Sequence, residues 1–132
     1  MTDLTHQRYQ ALFDNIVQGV FFQNADGTLC DVNPAALEMF GLSREEFLGR
    51  SSYNPEWDVI NEDGQPLLPN DHPSMVALTS GLPARGNLVG VFNNRRNCYV
   101  WMDITAIPLF RDGQSRPFQV VVTLQFMTDG FS

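Results

Sequence analysis

The chain contains no lysine, so all eight of its basic residues are arginines. Fifteen acidic residues outnumber them, and the formal net charge is −7 at pH 7. Nucleic-acid binding depends on clustered basic side chains, yet only Arg95 and Arg96 are adjacent. We therefore predict no nucleic-acid partner and no direct contact with an anionic membrane.

Long apolar runs are also absent. No segment approaches the ~18 consecutive apolar residues of a membrane-spanning helix, and residues 1–8 lack the apolar core of a signal peptide. We expect a cytoplasmic location. The two cysteines, Cys30 and Cys98, form no Cys-x-x-Cys pair, which predicts thiols and no zinc site.

Catalytic signatures are missing as well. The sequence shows no Ser-His-Asp arrangement, phosphate-binding glycine loop or metal-ligand spacing. Four carboxylates in an irregular segment, at Asp58, Glu62, Asp63 and Asp71, are expected to be solvated. We predict a chain that is not itself an enzyme and has no catalytic or metal-binding residues. A small α+β enzyme is kept as a remote alternative.

The most informative segment that is present spans residues 25–41. It combines an Asp-Gly turn, a short strand, a helix capped by Asn33 and Pro34, and a stop at Gly41. A second helix follows at once, because Ser43 and Glu46 have the spacing of a capping box.

The remaining elements follow from periodicity and turn residues. We predict an amphipathic helix over residues 3–15, an irregular segment over 50–72 and a helix over 73–80. Predicted strands cover residues 19–23, 28–32, 88–92, 98–109 and 118–126. Hairpin turns between long strands indicate an antiparallel sheet with the short helices on one face, which is an α+β fold.

Several segments, in this order, resemble the PAS domain family. They are Asp26-Gly27-Thr28-Leu29, Val32-Asn33-Pro34-Ala35-Ala36, Phe40-Gly41, residues 43–50, Gly81-Leu82-Pro83, Tyr99-Val100-Trp101, and Pro108-Leu109-Phe110 with Asp112-Gly113. The resemblance covers residues 8–127. It implies a five-stranded antiparallel sheet that encloses a small cavity with the helices.

Members of this family sense ligands, light, oxygen or redox state, or mediate dimerisation. The resemblance implies a regulatory sensory module that binds a small ligand and signals to a histidine kinase or a diguanylate cyclase. We predict a flanking helix over 1–16, the PAS domain over 17–127 and a tail or linker start over 128–132. That tail lacks the Asp-Ile-Thr turn of many relatives, and both a free-standing sensor and an excised fragment fit the sequence.

The cofactor is unknown, and haem and flavin are both disfavoured. His72 precedes a proline, which favours a capping or loop position over that of a haem ligand inside the cavity, and His6 lies in the terminal helix. The Asn97-Cys98 pair resembles the flavin-reactive motif of light-oxygen-voltage domains. Here, however, it begins a strand instead of lying on a helix.

Strand phase and helix faces suggest which residues line the cavity. The candidates are Phe21, Gln23, Met39, Phe40, Met75, Leu78, Phe92, Met102, Ile104, Thr123 and Gln125. Most of them would equally serve as core residues. Gln125 resembles the glutamine with which flavin-binding relatives contact a ring edge, although a place on the sheet surface explains it as well. If it is buried, it needs a polar partner.

A ligand-free dimerisation or protein-interaction module is the alternative function. The apolar stripe of the first helix, formed by Tyr9, Leu12, Phe13 and Ile16, is then the expected homodimer contact.

Overall fold

The structure, a computed structural model, describes residues 3–127. Within them, helices alternate with antiparallel strands in an α+β arrangement. The elements are α1 (Asp3–Asn15), β1 (Gly19–Asn24), β2 (Leu29–Val32), α2 (Pro34–Phe40), α3 (Arg44–Leu48), β3 (Val59–Ile60), a 3₁₀ turn (Pro69–Asp71), α4 (Pro73–Ser80), β4 (Ala84–Asn93), β5 (Cys98–Leu109) and β6 (Gln119–Phe126). The predicted tail over 128–132 lies outside the described residues.

The strands form one antiparallel sheet in the order β2-β1-β6-β5-β4-β3. The first and last long strands are therefore neighbours at its centre. The sheet has six strands where five were predicted. The extra strand, β3, has only two residues, and Val59 pairs with Val91. It lies in the segment predicted to be irregular. A strand of two residues is too short to show the alternation by which strands are predicted.

Local capping signals place α2 and α3. Asn33 has extended geometry and accepts a hydrogen bond from the backbone N–H of Ala36 at 3.0 Å. Gly41 ends α2 with φ at 68°, a conformation that other residues adopt at a cost. Ser43 and Glu46 form the reciprocal capping box predicted for α3.

The alternation predicted for β5 is confirmed over its centre. Val100, Met102, Ile104 and Ala106 are buried against the helices, whereas the residues between them are less buried. Cys98 would share this face by alternation, but it is exposed at the start of the strand.

The segment over residues 50–72 is anchored to the core by Trp57, Val59 and Leu67. The next residue, Leu68, is 63% exposed and does not contribute to this anchor. Together with α2, α3 and α4, this segment covers the inner face of the sheet.

Helix α1 lies on the other face. Its Phe13 is buried and its ring centroid lies 6.1 Å from that of Phe22. In β1, Phe22 points away from the face on which Phe21 and Gln23 are buried, since successive strand residues alternate.

Candidate functional site

A cavity of about 60 Å³ lies between the inner face of the sheet, α3, the 50–72 segment and the start of α4. One water molecule needs roughly 10–15 Å³ of such space. The cavity therefore has room for about four to six groups of that size, which is too little for a porphyrin or the fused rings of a flavin. It is lined by Phe21, Gln23, Leu29, Phe40, Phe47, Ser52, Trp57, Val59, Leu67, His72, Pro73, Ser74, Val89, Val91, Ile104, Val122 and Leu124.

One end of the cavity is aromatic. The ring of Phe47 lies 5.3 Å from that of Phe21 and 5.4 Å from that of Phe40, and Trp57 lies 5.5 Å from Phe40. Such pairs contribute about 0.5–1.5 kcal/mol each beyond their burial. This end is a firm apolar wall built from β1, α2, α3 and the 50–72 segment.

Trp57 forms the part of that wall nearest to solvent. Its indole N–H donates to the backbone carbonyl of Ser51 at 2.8 Å, which fixes the plane of the ring. The guanidinium of Arg50 covers the ring at 4.6 Å and also pairs with Glu56 at 3.3 Å. The aromatic end is therefore closed by a restrained side chain.

The other end is polar and centres on Gln23, which is fully buried. Its Nε2 donates to the carbonyl of Gly27 and to the hydroxyl of Ser52, both at 2.8 Å, and contacts Sδ of Met75 at 3.5 Å. Its Oε1 is buried, and no group among residues 3–127 donates to it. An unsatisfied buried acceptor costs about 1–3 kcal/mol, so this atom needs a partner.

The turn after β1 creates this arrangement. Gly27 adopts φ of 96°, and Asp26 accepts hydrogen bonds from the backbone and side chain of Thr28. The turn thereby aims the carbonyl of Gly27 back at the side-chain amide of Gln23, near the end of β1.

His72 also lines the polar end. As predicted, it caps a helix and has extended geometry, with φ at −61° and ψ at 137° before Pro73. Its place in the cavity wall was not expected from the sequence. Burial lowers the pKa of His72, against weaker opposing effects of the Leu67 backbone and the Asp71 charge.

The whole lining is uncharged at neutral pH. No Asp, Glu, Lys or Arg contributes to it, and its one titratable side chain is His72, whose pKa is held down. The chemistry of the lining suits a small neutral molecule with an apolar body. It offers no paired acid and base for catalysis.

Among residues 3–127, no cluster of three His, Cys, Asp or Glu side chains has the geometry to hold a metal ion. In the same part of the chain, no helix is both long and apolar enough to cross a membrane.

Comparison with family models decides the classification. The model described as "PAS domain" matches residues 7–81, which is more than half of the chain. The chain belongs to the PAS domain family. No curated protein matches it.

Solved structures show the same fold. A domain of a sensory box sensor histidine kinase/response regulator from Geobacter sulfurreducens is 24% identical, with a TM-score of 0.64 over 92% of this chain and 93% of that one. A PAS domain from Colwellia psychrerythraea is 15% identical, with a TM-score of 0.70 over 96% and 98%. The PAS domain of nitrogen regulation protein NR(II) from Vibrio parahaemolyticus is 14% identical, with a TM-score of 0.64 over 90% and 97%.

Four predicted cavity residues line the cavity of this PAS domain, namely Phe21, Gln23, Phe40 and Ile104. Four others lie on the inner side of the sheet but outside the lining. Met39 and Met102 are buried in the core, Met75 lies behind Gln23, and Leu78 packs against the core from α4. These four residues support the cavity wall from behind. Direct contact between them and a ligand stays a prediction.

Three of the residues predicted to line the cavity face the other side of the sheet instead. In β6, Val120, Val122 and Leu124 are buried, so Thr123 and Gln125 point outward. Gln125 is exposed and accepts a hydrogen bond from Gln18 at 3.5 Å. Both faces of this strand carry apolar residues, and alternation alone did not identify the inner one.

Phe92 is the third. In β4, Val89 and Val91 point to the cavity, and Phe92 packs on Tyr99 at 5.2 Å on the outer face. The pairing of β4 with β5 shifts between Gly86 and Val89. From Val89 to Asn93 the pairing is regular, and apolar residues lie on both faces, so periodicity alone does not identify the inner one.

Sequence reasoning missed most of the polar end. Ser52 and Ser74 are buried beside Gln23 and His72. From the sequence, a serine in a loop or in the first turn of a helix is expected to be exposed to solvent. The available signal was the aromatic Trp57 within an otherwise polar segment, which indicated that residues 50–72 return to the core.

The apolar stripe predicted to form the dimer contact is partly buried within this PAS domain and partly exposed. Phe13 is buried against the sheet, and Tyr9 stacks on it at 5.3 Å between centroids. Leu12 is 68% exposed, and Ile16 is 39% exposed. The exposed half of α1 remains available to a partner, whereas Phe13 already serves the monomer.

Proposed function

We propose that this PAS domain is a regulatory sensory module that binds a small ligand in its cavity and passes the signal to an output domain, such as a histidine kinase or a diguanylate cyclase. The observation that carries the proposal is the cavity itself. It is mostly apolar and uncharged, and Gln23 in its lining carries one buried acceptor that the described protein does not satisfy. Such a pocket with a few convergent polar groups is typical of ligand sites.

Strand β1 gives the signal a direct route. Phe21 contacts the cavity, and its neighbour Phe22 contacts Phe13 of α1 on the opposite face of the sheet. A ligand with a higher affinity for one position of β1 than for another increases the population of the first position. Because Phe22 contacts Phe13, the preferred position of α1 changes with it. The flanking helix is therefore the expected output element.

The kinase output is supported by the neighbours in structure. One is a domain of a sensor histidine kinase/response regulator, and another is a PAS domain from a two-component sensor histidine kinase. Both share the fold of this chain, at 24% and 15% sequence identity.

Native mass spectrometry of freshly purified protein tests ligand binding. We expect an added mass that denaturation removes, or a rise in melting temperature with members of a neutral metabolite library. Val122→Leu, which extends a cavity-lining side chain, should reduce that rise. Val121→Leu makes the same change on the outer face and should preserve it. A bare protein mass and no thermal shift across the library would favour the alternative below.

The alternative is a ligand-free dimerisation module, and the exposure of Leu12 favours it. Leu12→Asp is expected to raise the dimer dissociation constant in analytical ultracentrifugation by at least about tenfold, because it places a charge on an apolar contact. Leu68→Asp is the matched control, since Leu68 is 63% exposed on the 50–72 segment. A wild-type chain that sediments as a monomer at high concentration would rule out this alternative.

A further inference from the structure

The orientation of the Gln23 amide is fixed by its neighbours. The backbone carbonyl of Gly27 can only accept a hydrogen bond, so the atom 2.8 Å from it must be the amide nitrogen. The second N–H of the same nitrogen donates to the hydroxyl of Ser52 at 2.8 Å. The remaining atom is therefore the oxygen, and exchange of the two would place two acceptors against each other.

That oxygen is a pure acceptor in a fully buried position. The exposed fraction of Gln23 is 0%, and among residues 3–127 its Oε1 is the one buried side-chain nitrogen or oxygen without a protein partner. The other two fully buried amides on this side of the sheet, Asn33 and Asn93, use both of their polar atoms. The unmet requirement is thus confined to one side chain, and that side chain lines the cavity.

The surroundings restrict what can meet that requirement. An anion would be repelled by Oε1 and would find no cation in the lining. An ammonium ion would lose its hydration without finding a carboxylate there. The hydroxyls of Ser52 and Ser74 at the same end can donate to an acceptor on the occupant.

We propose that the cavity selects a small neutral molecule that donates an N–H or O–H to Oε1 of Gln23 and packs an apolar body against Phe21 and Phe40. Short amides, alcohols and five-membered N–H heterocycles belong to this class. Size sets the limit, because about 60 Å³ holds roughly five atoms of water size. This inference rests on the proposed sensory function and adds the chemical class of the ligand.

Pyrrole and furan form a matched pair of probes. Both are neutral five-membered aromatic rings, but only pyrrole carries an N–H donor. Titrations followed by two-dimensional NMR should give a dissociation constant for pyrrole at least about tenfold below that for furan, since furan leaves Oε1 unsatisfied. The largest shifts should fall on the side-chain amide of Gln23 and on Ser52.

Gln23→Met should remove the preference for pyrrole, and Gln125→Met should retain it. The two variants make the same substitution on neighbouring strands, one in the cavity and one on the outer face. The comparison of the two probes on the wild-type chain stands even if Gln23→Met fails to fold.

Three results would overturn the inference. Equal affinities for pyrrole and furan, or a preference that persists in Gln23→Met, would remove the donor requirement and leave ligand binding in the cavity intact. Binding of neither probe would mean that water alone satisfies Oε1. The proposed function falls as well only if the native mass and the metabolite library are also negative.

Discussion

Two fully buried amides, Gln23 and Asn33, lie ten residues apart in the sequence and serve opposite purposes in this PAS domain. Asn33 is fully buried at the junction of β2 and α2. Its Oδ1 accepts from the N–H groups of Val20 and Ala36 at 2.8 and 3.0 Å, and its Nδ2 donates to the carbonyl of Gln18 at 3.0 Å. Gln23 is equally buried but leaves Oε1 unsatisfied at the cavity.

The two residues therefore differ in role: Asn33 stabilises the fold, whereas Gln23 is available to a ligand. Asn33 ties β1 to the start of α2, so its hydrogen bonds contribute to the stability of the fold. Gln23 keeps one acceptor free, which is a cost in the empty protein and a gain when a donor enters. A polar residue that the fold does not satisfy is therefore the better indicator of function.

Removal of the satisfied amide should have the largest effect. Asn33→Leu keeps the volume but leaves three backbone groups without their partner, so we expect a loss of about 3 kcal/mol in the free energy of unfolding. Urea denaturation measures it. Asn94→Leu, at an exposed position, should change stability by less than about 0.5 kcal/mol. Equal losses in the two variants would contradict the structural role of Asn33.

Gly41→Ala tests another fully satisfied amide, that of Asn93, which lies against the end of α2. An added methyl group would collide with Oδ1 of Asn93, and the φ of 68° is unfavourable for alanine. We expect a loss of about 2–3 kcal/mol in thermal or urea unfolding. Gly64→Ala is the control, since it has φ of 82° but no atom near the new methyl group, and should cost about 1 kcal/mol. Similar costs would mean that Asn93 adjusts freely.

Gln23→Met should cost far less than Asn33→Leu, by our estimate under about 1 kcal/mol. The change removes an unsatisfied acceptor, and the carbonyl of Gly27 keeps a second hydrogen bond from the N–H of Ser52 at 3.2 Å. Urea denaturation of the ligand-free protein checks this. A loss as large as that of Asn33→Leu would erase the contrast between the two amides.

The smallest expected effect is a pH dependence at the cavity. Burial lowers the pKa of His72 in the folded chain, whereas the unfolded side chain titrates near 6.5. Between the lowered value and about 6.5 the unfolded state binds more protons, so stability falls as pH drops through that window and loses nothing further from this group below it.

His72→Gln should flatten the fall in unfolding free energy between pH 6.5 and mildly acidic values, as measured by urea denaturation at several pH values. His6→Gln, at an exposed position on α1, should leave the slope unchanged. Identical slopes for the wild-type chain and His72→Gln would show that this ring does not sense the cavity environment.

Local chemistry in the sequence determined much of the fold. The caps at Asn33, Ser43 and Gly41 depend on residues within four positions of each other, so their signals are complete in the sequence. The long alternation of β5 is likewise local, and its ends at Cys98 and Leu109 match the prediction. Phe21 and Gln23 could be placed on the inner face because alternation along a short strand links them.

Only the tertiary structure decided which face of the other strands looks inward and what lines the polar end of the cavity. Apolar residues occupy both faces of β4 and β6, because α1 and the aromatic residues of β5 also cover part of the outer face. The choice between Val91 and Phe92, or Val122 and Thr123, therefore depends on pairing across the sheet. The free acceptor of Gln23 is decided the same way, since it depends on Gly27, Ser52 and α4 meeting at one point.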